Sequence, residues 1–458
     1  MKKLSILFLL LIVSLSNIVA DSFNEDCKYL ENLFSEVAID MSLALDNKAL
    51  SSQSIIEEIK NVYKTTASTK KIKKDGIDNE AFSAAINKIY AKYSNTCGHV
   101  SIFNPANNDF FVPFDHQFIY YSDIYFIKEN NSFRVYKDYK KIKKGMFYTG
   151  NIENLYKTIQ DDEVVYRYGT LSSTFIKNCI VSIENKEIKI PVSGDVGIVK
   201  NNKDYEFTKR DTYIYLGIKK SNYSNKSDEK TFFEDSEKII NEFKNINTII
   251  FDLRDNLGGF TQYLNHFAYG LVYDKKTKEN DLEFSKWNRN LYAGEKRINT
   301  DTIIDKTLSI GLAPSDYIEY CKNNLGTKYL EEITYEKIEL NPWYKGKIYI
   351  LLNPLTSSAA ENFTLNLKKI FGENVIIIGQ NSNGSLEFAD IYRYNLPNSK
   401  IRLTLCAVDA RETILLKEEC WHGDTKGIFP DYWCAPQDII TILFHFIKSD
   451  DLRTIIKL

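Results

Sequence analysis

The chain has 458 residues, enough for two or three domains with a sizeable core. Its 59 basic and 61 acidic residues give a formal charge of −2, which excludes nucleic acid as the main partner because a phosphate-binding face needs a basic excess. Basic runs such as Lys70-Lys71-Ile72-Lys73-Lys74 and Lys140-Lys141-Ile142-Lys143-Lys144 read as solvated loops.

The first twenty residues predict a signal peptide. Lys2 and Lys3 form a positive start, Leu4 to Val13 is almost wholly apolar, and Ile18-Val19-Ala20 is a small-residue exit before polar Asp21-Ser22. The apolar run is shorter than the roughly 18 residues a bilayer span needs, and no other stretch approaches that length. The expectation is an exported chain, periplasmic or secreted, with no stable membrane insertion after cleavage. Cleavage would leave 458 − 20 = 438 residues and, without the two lysines, a charge of −2 − 2 = −4. All 7 cysteines lie beyond residue 20, and none forms a CxxC pair, so a zinc or thioredoxin-like motif is not expected. Export permits disulfides, the odd count leaves at least one thiol unpaired or joined to another chain, and Cys420 and Cys434 are the nearest pair in sequence.

Residues 21–100 read as a helical region. Apolar side chains recur at helical spacing through Leu30, Leu33, Val37, Met41 and Leu45, and again through Phe82, Ala85, Ile86 and Ile89. Over residues 101–195 the pattern turns to aromatic and β-branched runs, such as Phe118-Ile119-Tyr120-Tyr121 and Ile124-Tyr125-Phe126-Ile127, with Asn130-Asn131 as a turn. Residues 196–458 alternate buried strands (Thr248 to Leu253, Lys347 to Leu352, Val375 to Ile378) with helices after Gly258-Gly259 and from Ser358 to Phe371. That alternation predicts an α/β fold with parallel strands and helices packed outside.

Two segments could carry chemistry. Ser358 follows a buried strand at the start of a helix, where a hydroxyl projects past the strand end and first-turn N–H groups can receive an oxyanion. Yet Ser358-Ala359-Ala360-Glu361 is also a complete capping box, which needs no catalysis. Asp252-Leu253-Arg254-Asp255-Asn256-Leu257-Gly258-Gly259 ends a strand in charges and paired glycines, suited either to a ligand-facing loop or to a tight strand-to-helix turn.

Together these two segments resemble the C-terminal processing (tail-specific) peptidase family. The likeness continues in Ile378-Gly379-Gln380-Asn381-Ser382-Asn383-Gly384, in Gly427-Ile428-Phe429-Pro430-Asp431, and upstream in Cys97-Gly98-His99-Val100. The resemblance implies a crotonase-like (spiral ββα) peptidase core preceded by a PDZ-like module, and a serine endopeptidase that cuts polypeptides through an acyl-enzyme with no metal or organic cofactor. Where the lysine-dependent branch places its base, this chain has Ser385, so the resemblance is to the histidine-dependent branch of tricorn-type and chlamydial secreted proteases. Ser358 is then the nucleophile. His99 matches the family's base segment, with His422 as the rival base. Asp424 matches the carboxylate that orients the base, with Glu418 and Glu419 as alternatives. The oxyanion hole falls to backbone N–H groups of Gly258, Gly259 and Ala359. His116 carries no distinguishing signal, His266 falls on the helix after the glycine pair and reads as structural, and His445, within an apolar helical stretch, reads as a core histidine. The competing expectation is a catalytically inactive protein of the same scaffold that binds peptides or apolar ligands.

Overall fold

A computed structural model describes residues 22–35, 37–69, 71–72, 76–194, 203–272, 342–411 and 417–456. The expected signal segment and Cys321 lie outside these residues. The chain divides into two compact units. Of the described residues, those up to 115 and 387–411 belong to the first unit, and those within 116–272, 342–386 and 417–456 belong to the second.

The first unit stacks helices on a small antiparallel sheet. Its helices are α1 (22–35), α2 (Ile39–Lys48), α3 (Ser52–Thr66) and α4 (Asn79–Tyr93). Two carry the side-chain caps that local sequence favours: Ser51 accepts the Ser54 N–H at α3 and Asp78 accepts the Ala81 N–H at α4. The periodic apolar residues Leu30, Leu33, Val37, Met41, Leu45, Phe82, Ala85, Ile86 and Ile89 are all buried in one core. That core closes on strands β1 (Ser101–Asn104), β2 (Asp109–Phe111), β14 (Phe388–Asn395) and β15 (Arg402–Asp409), ordered β14-β15-β1-β2. Residues 101–111, read from sequence as the start of the β module, therefore join this sheet instead: β1 pairs with β15, in the register Ser101↔Thr404 to Phe103↔Arg402, and β2 pairs with β1.

In the second unit, β3 (Phe118–Glu129), β4 (Ser132–Val135), β5 (Leu155–Gln160) and β6 (Glu163–Ser172) form a four-stranded antiparallel sheet, accompanied by the hairpin β7 (Asn178–Ile183) and β8 (Lys186–Pro191). The turns Asp161-Asp162 and Glu184-Asn185 hold both residues at positive φ, between 49° and 63°, the backbone twist that tight hairpins require. Asn130 also takes positive φ, where the sequence placed a turn.

The rest of the second unit is a six-stranded sheet in the order β16-β13-β12-β11-β10-β9. Strands β10 (Ile214–Ile218), β11 (Thr248–Asp252), β12 (Lys347–Leu352), β13 (Val375–Gly379) and β16 (Tyr432–Trp433) are parallel, and β9 (Tyr205–Lys209) is an antiparallel edge. Helix α5 (Lys226–Ile240) connects β10 to β11, α6 (Thr261–Val272) follows β11, and α7 (Ala359–Phe371) connects β12 to β13. Parallel neighbours need such crossovers, and strands covered on both faces become uninterrupted apolar runs. Ile348 to Leu352 are accordingly all buried. Helices α8 (Ile439–Ile447) and α9 (Leu452–Ile455) complete this core. Among the described residues, no helix is long and apolar enough to cross a membrane.

Candidate active site

The C-terminal ends of parallel strands β11, β12 and β13 each lead into a loop from one of the sequence segments singled out above. At β11, Asp252 and Arg254 are almost completely buried and form a two-point ion pair, with Nε to Oδ1 at 2.8 Å and a terminal guanidinium nitrogen to Oδ2 at 2.6 Å. The Tyr215 hydroxyl donates to the same carboxylate at 2.9 Å. This pair is structural, not catalytic. A paired, hydrogen-bonded geometry is what makes two buried charges tolerable.

Asn256 then organises the glycine turn. Its Nδ2–H donates to Ile218 O at 3.0 Å, and its Oδ1 accepts the Gly258 N–H at 2.9 Å. The Gly258 amide is thus engaged within its own turn. The loops after β11 and β12 are stitched together by Thr356 Oγ1–H to Leu253 O, Ser357 N–H to Asn256 O, and reciprocal bonds between Asp255 and Asn353.

Ser358 sits where this stitching places it, half-buried at the N-cap of α7. Its backbone is at φ 54° and ψ −115°, a conformation that only glycine adopts without strain. Gly258 packs directly behind it: a Cβ at Gly258 would lie 2.7 Å from Ser357 O, 2.7 Å from Ser358 Cβ and 3.0 Å from Ala359 N. Gly258 also has φ +84°. Gly258→Ala is therefore expected to cost about 1–3 kcal/mol of stability and to displace Ser358, changing the reactivity of its hydroxyl. Thermal unfolding and the rate of labelling by a fluorophosphonate would measure the two effects, and an unchanged labelling rate would refute the displacement.

Glu361, in the first turn of α7, is the hub of the site. Its carboxylate is completely buried and takes four donors: Ser358 N–H at 2.8 Å and Ser385 N–H at 3.0 Å on Oε2, Gly384 N–H at 2.7 Å and the Ser382 hydroxyl at 2.5 Å on Oε1. Burial pushes its pKa up to about 7, against the pull of these four hydrogen bonds. The glutamate half of the expected capping box is present, and the same side chain ties the helix start to the turn after β13. Sequence reasoning saw the cap but not this second role. The only local signal was a glutamate three residues after the serine.

The turn after β13 packs as closely as the glycine pair. A Cβ on Gly384, which has φ +77°, would meet Thr425 N at 2.5 Å and Gly427 N at 2.7 Å. Ser385, the residue standing where the lysine-dependent branch has its base, is buried with its N–H on Glu361. The closing element is anchored by Asp431, which accepts Ile377 N–H at 2.8 Å and Lys368 Nζ at 3.0 Å.

The candidate acids and bases fall in different places. Asp424 is buried in the second unit, and its Oδ1 accepts the Leu386 N–H at 2.7 Å. Glu418 pairs with Lys369 at 3.3 Å. His422 is exposed and stacks on Phe429 with ring centroids 3.6 Å apart. His99 belongs to the first unit, on the turn between α4 and β1, with Nδ1 2.8 Å from Phe388 O. Donation from Nδ1–H to that carbonyl leaves the lone pair on Nε2, the tautomer a general base uses.

The other histidines are supporting. His266, on α6, lies 3.1 Å from Glu237. His445 is not a core residue: it is partly exposed on α8 and pairs with Asp162 at 2.5 Å, because the apolar face of that helix lies along Ile439, Ile442 and Leu443. His116, unremarkable in sequence, has Nδ1 2.7 Å from Asn383 O, while Asn383 N–H donates to Thr356 O. Burial lowers its pKa to about 4, so it is neutral at pH 7 and braces the loop ahead of Ser358. Among the described residues, no group of three His, Cys, Asp or Glu side chains is placed to hold a metal ion.

No curated protein matches the chain by sequence. Among solved structures, mature CPAF complexed with lactacystin is similar at 13% identity and a TM-score of 0.45, covering 92% of this chain and 95% of its own. The photosystem II D1 C-terminal processing protease is similar at 10% identity and a TM-score of 0.39, with coverages of 95% and 98%. A lipoprotein from Streptococcus agalactiae is similar at 16% identity and a TM-score of 0.31, with coverages of 54% and 70%. The model of peptidase family S41 matches residues 214–432, the span from β10 through the Ser358 and Gly384 turns to the closing element. This match supports the C-terminal processing peptidase family S41, and the chain is a serine-type peptidase.

Proposed function

We propose that the protein is an exported endopeptidase that cleaves polypeptides through an acyl-enzyme on Ser358, with His99 as general base and Asp424 as the carboxylate that orients it. The observation that carries this reading is the strained backbone of Ser358, held at φ 54° against Gly258 and pinned by Glu361. A fold retains such strain at a serine where the hydroxyl must be presented. His99 takes the Ser358 proton as Oγ attacks the scissile carbonyl. The oxyanion rests on amides of the Gly258-Gly259 turn and Ala359, of which Gly259 and Ala359 fit best, since the Gly258 N–H is engaged by Asn256. His99 then protonates the leaving amine, and water attacks the ester to release the acid and restore Ser358.

The parallel sheet β10–β13 with its crossover helices supports a crotonase-like core, and the β3–β8 module supports a PDZ-like element that gathers substrate by strand addition. The cationic start and apolar run of residues 1–20 support export to a periplasm or the medium.

The test is covalent labelling with a fluorophosphonate followed by peptide mapping. The adduct is expected on Ser358. His99→Ala is expected to suppress labelling and turnover on the order of 10³-fold or more, and His422→Ala to leave both within a few-fold of wild type. Labelling on another serine, or a folded protein that never labels, would overturn the assignment in favour of a scaffold that only binds. Loss of turnover in His422→Ala alone would move the base to His422.

A further inference from the structure

We propose that Cys97 and Cys406 form a disulfide that ties the turn carrying His99 to strand β15. The two residues are 309 positions apart, yet their Sγ atoms lie 3.0 Å from each other in the core of the first unit. That is closer than merely packed sulfur atoms approach, and about 1 Å beyond a covalent S–S bond. Cys97 follows α4 by four positions, and Cys406 sits mid-strand opposite Ile391 of β14. Neither sulfur has to cross an element to reach the other.

The placement gives the bond a consequence. The Cys97–Val100 turn closes with a Val100 N–H to Cys97 O contact at 3.4 Å, a long hydrogen bond that holds it weakly. Its ring-bearing residue is fixed by the His99 Nδ1 bond to Phe388 O on β14, and β14 pairs along its length with β15. A Cys97–Cys406 bond would anchor the same turn to the same hairpin at a second point, so that imidazole and backbone cannot swing together. This consequence, unlike the bond itself, rests on His99 being the base.

Formation is a two-electron oxidation. The two thiols lose their hydrogens to a small or protein disulfide, which is reduced to two thiols as the Sγ–Sγ bond forms. Cys97 is 1% exposed and Cys406 is 0% exposed, so the exchange has to occur while the chain folds. Once formed, the bond is shielded from reductants by the same burial.

The experiment folds the full chain in a mixture of reduced and oxidised glutathione, alkylates remaining thiols in denaturant, and maps the peptides. The expected result is a Cys97 peptide joined to a Cys406 peptide, lighter by two hydrogens and resistant to dithiothreitol until denaturant is added. The thermal midpoint is expected to fall by several degrees after full reduction. Both residues recovered alkylated, or either joined to another cysteine, would overturn the proposal. A Cys97→Ala/Cys406→Val double variant then addresses the consequence: fluorophosphonate labelling at Ser358 is expected to slow several-fold. An unchanged rate beside a mapped disulfide would overturn the positioning role and leave the bond, whereas loss of labelling in the wild type would point to failure of the peptidase reading.

Discussion

Ser358→Gly is expected to abolish peptidase turnover while making the protein more stable. The chemical half follows from removing the nucleophile: the residual rate over solvent comes only from substrate binding and the oxyanion amides, so a loss on the order of 10⁴–10⁶-fold is expected. The stability half follows from the backbone. Ser358 holds φ 54° and ψ −115°, and the C-cap of the same helix, Gly372, holds φ 54° and ψ −124°. Where no chemistry is required the chain uses glycine for that conformation, and at the site it uses serine. Relieving strain of about 1–3 kcal/mol outweighs the few tenths lost on replacing an N-cap serine by glycine and part of glycine's unfolded-state entropy. The net is roughly 1 kcal/mol, a rise of roughly 2–4 °C in a unit of this size. Paired melting curves and turnover assays read both halves. A variant that is inactive and less stable would show that the serine is retained for structure.

How far the sequence disclosed this site depends on the range of the forces involved. The buried runs at Thr248, Lys347 and Val375 were legible because a strand covered on both faces must be apolar at every position, and the order strand, helix, strand then dictates parallel pairing. The Asp252-to-Gly259 and Ser358 segments were legible as turns by their glycines and cap residues. Their mutual contact, through Gly258 against Ser358 Cβ, was not, because it depends on how two loops about a hundred residues apart meet. The same limit hid the pairing of β1 with β15: Ser101 to Asn104 has a local pattern shared with the β module that follows, and only the partner Arg402 to Thr404 separates them. It also hid the reach of Glu361. A capping box is a property of four residues, whereas the acceptance of Ser382, Gly384 and Ser385 is a property of the folded sheet. Asn353, which holds a loop rather than a reactant, left no sequence signal at all, and Asn383 was legible only as a member of its turn.

Replacing Glu361 by glutamine should therefore weaken both the fold and the site, and should do so in a pH-dependent way that identifies the cause. Both carboxylate oxygens accept two donors, so every acceptor position is occupied only when the group is ionised. Glutamine keeps one carbonyl oxygen and presents N–H groups on the other side. Facing Ser358 and Ser385, the amide opposes two buried N–H donors. Facing Ser382 and Gly384, it opposes one, since the Ser382 hydroxyl can turn to accept. The less costly orientation still strands a buried donor, for an expected loss of about 2–4 kcal/mol. The wild-type pH dependence runs in two directions. Burial raises the Glu361 pKa from an ordinary 4.5 to about 7 in the folded protein. The folded state thus binds a proton more tightly than the unfolded chain, and the resulting stabilisation, complete below about pH 4.5, is lost as pH rises through 7, a span worth roughly 3 kcal/mol. Activity should move the opposite way, because protonation displaces one of the donors that pin Ser358 and the Gly384 turn. Unfolding free energies from pH 4.5 to 8 should show this falling component in the wild type and lose it in Glu361→Gln. If the two proteins keep parallel stability curves, the buried carboxylate is not the titrating group, and its four hydrogen bonds hold it ionised throughout that range.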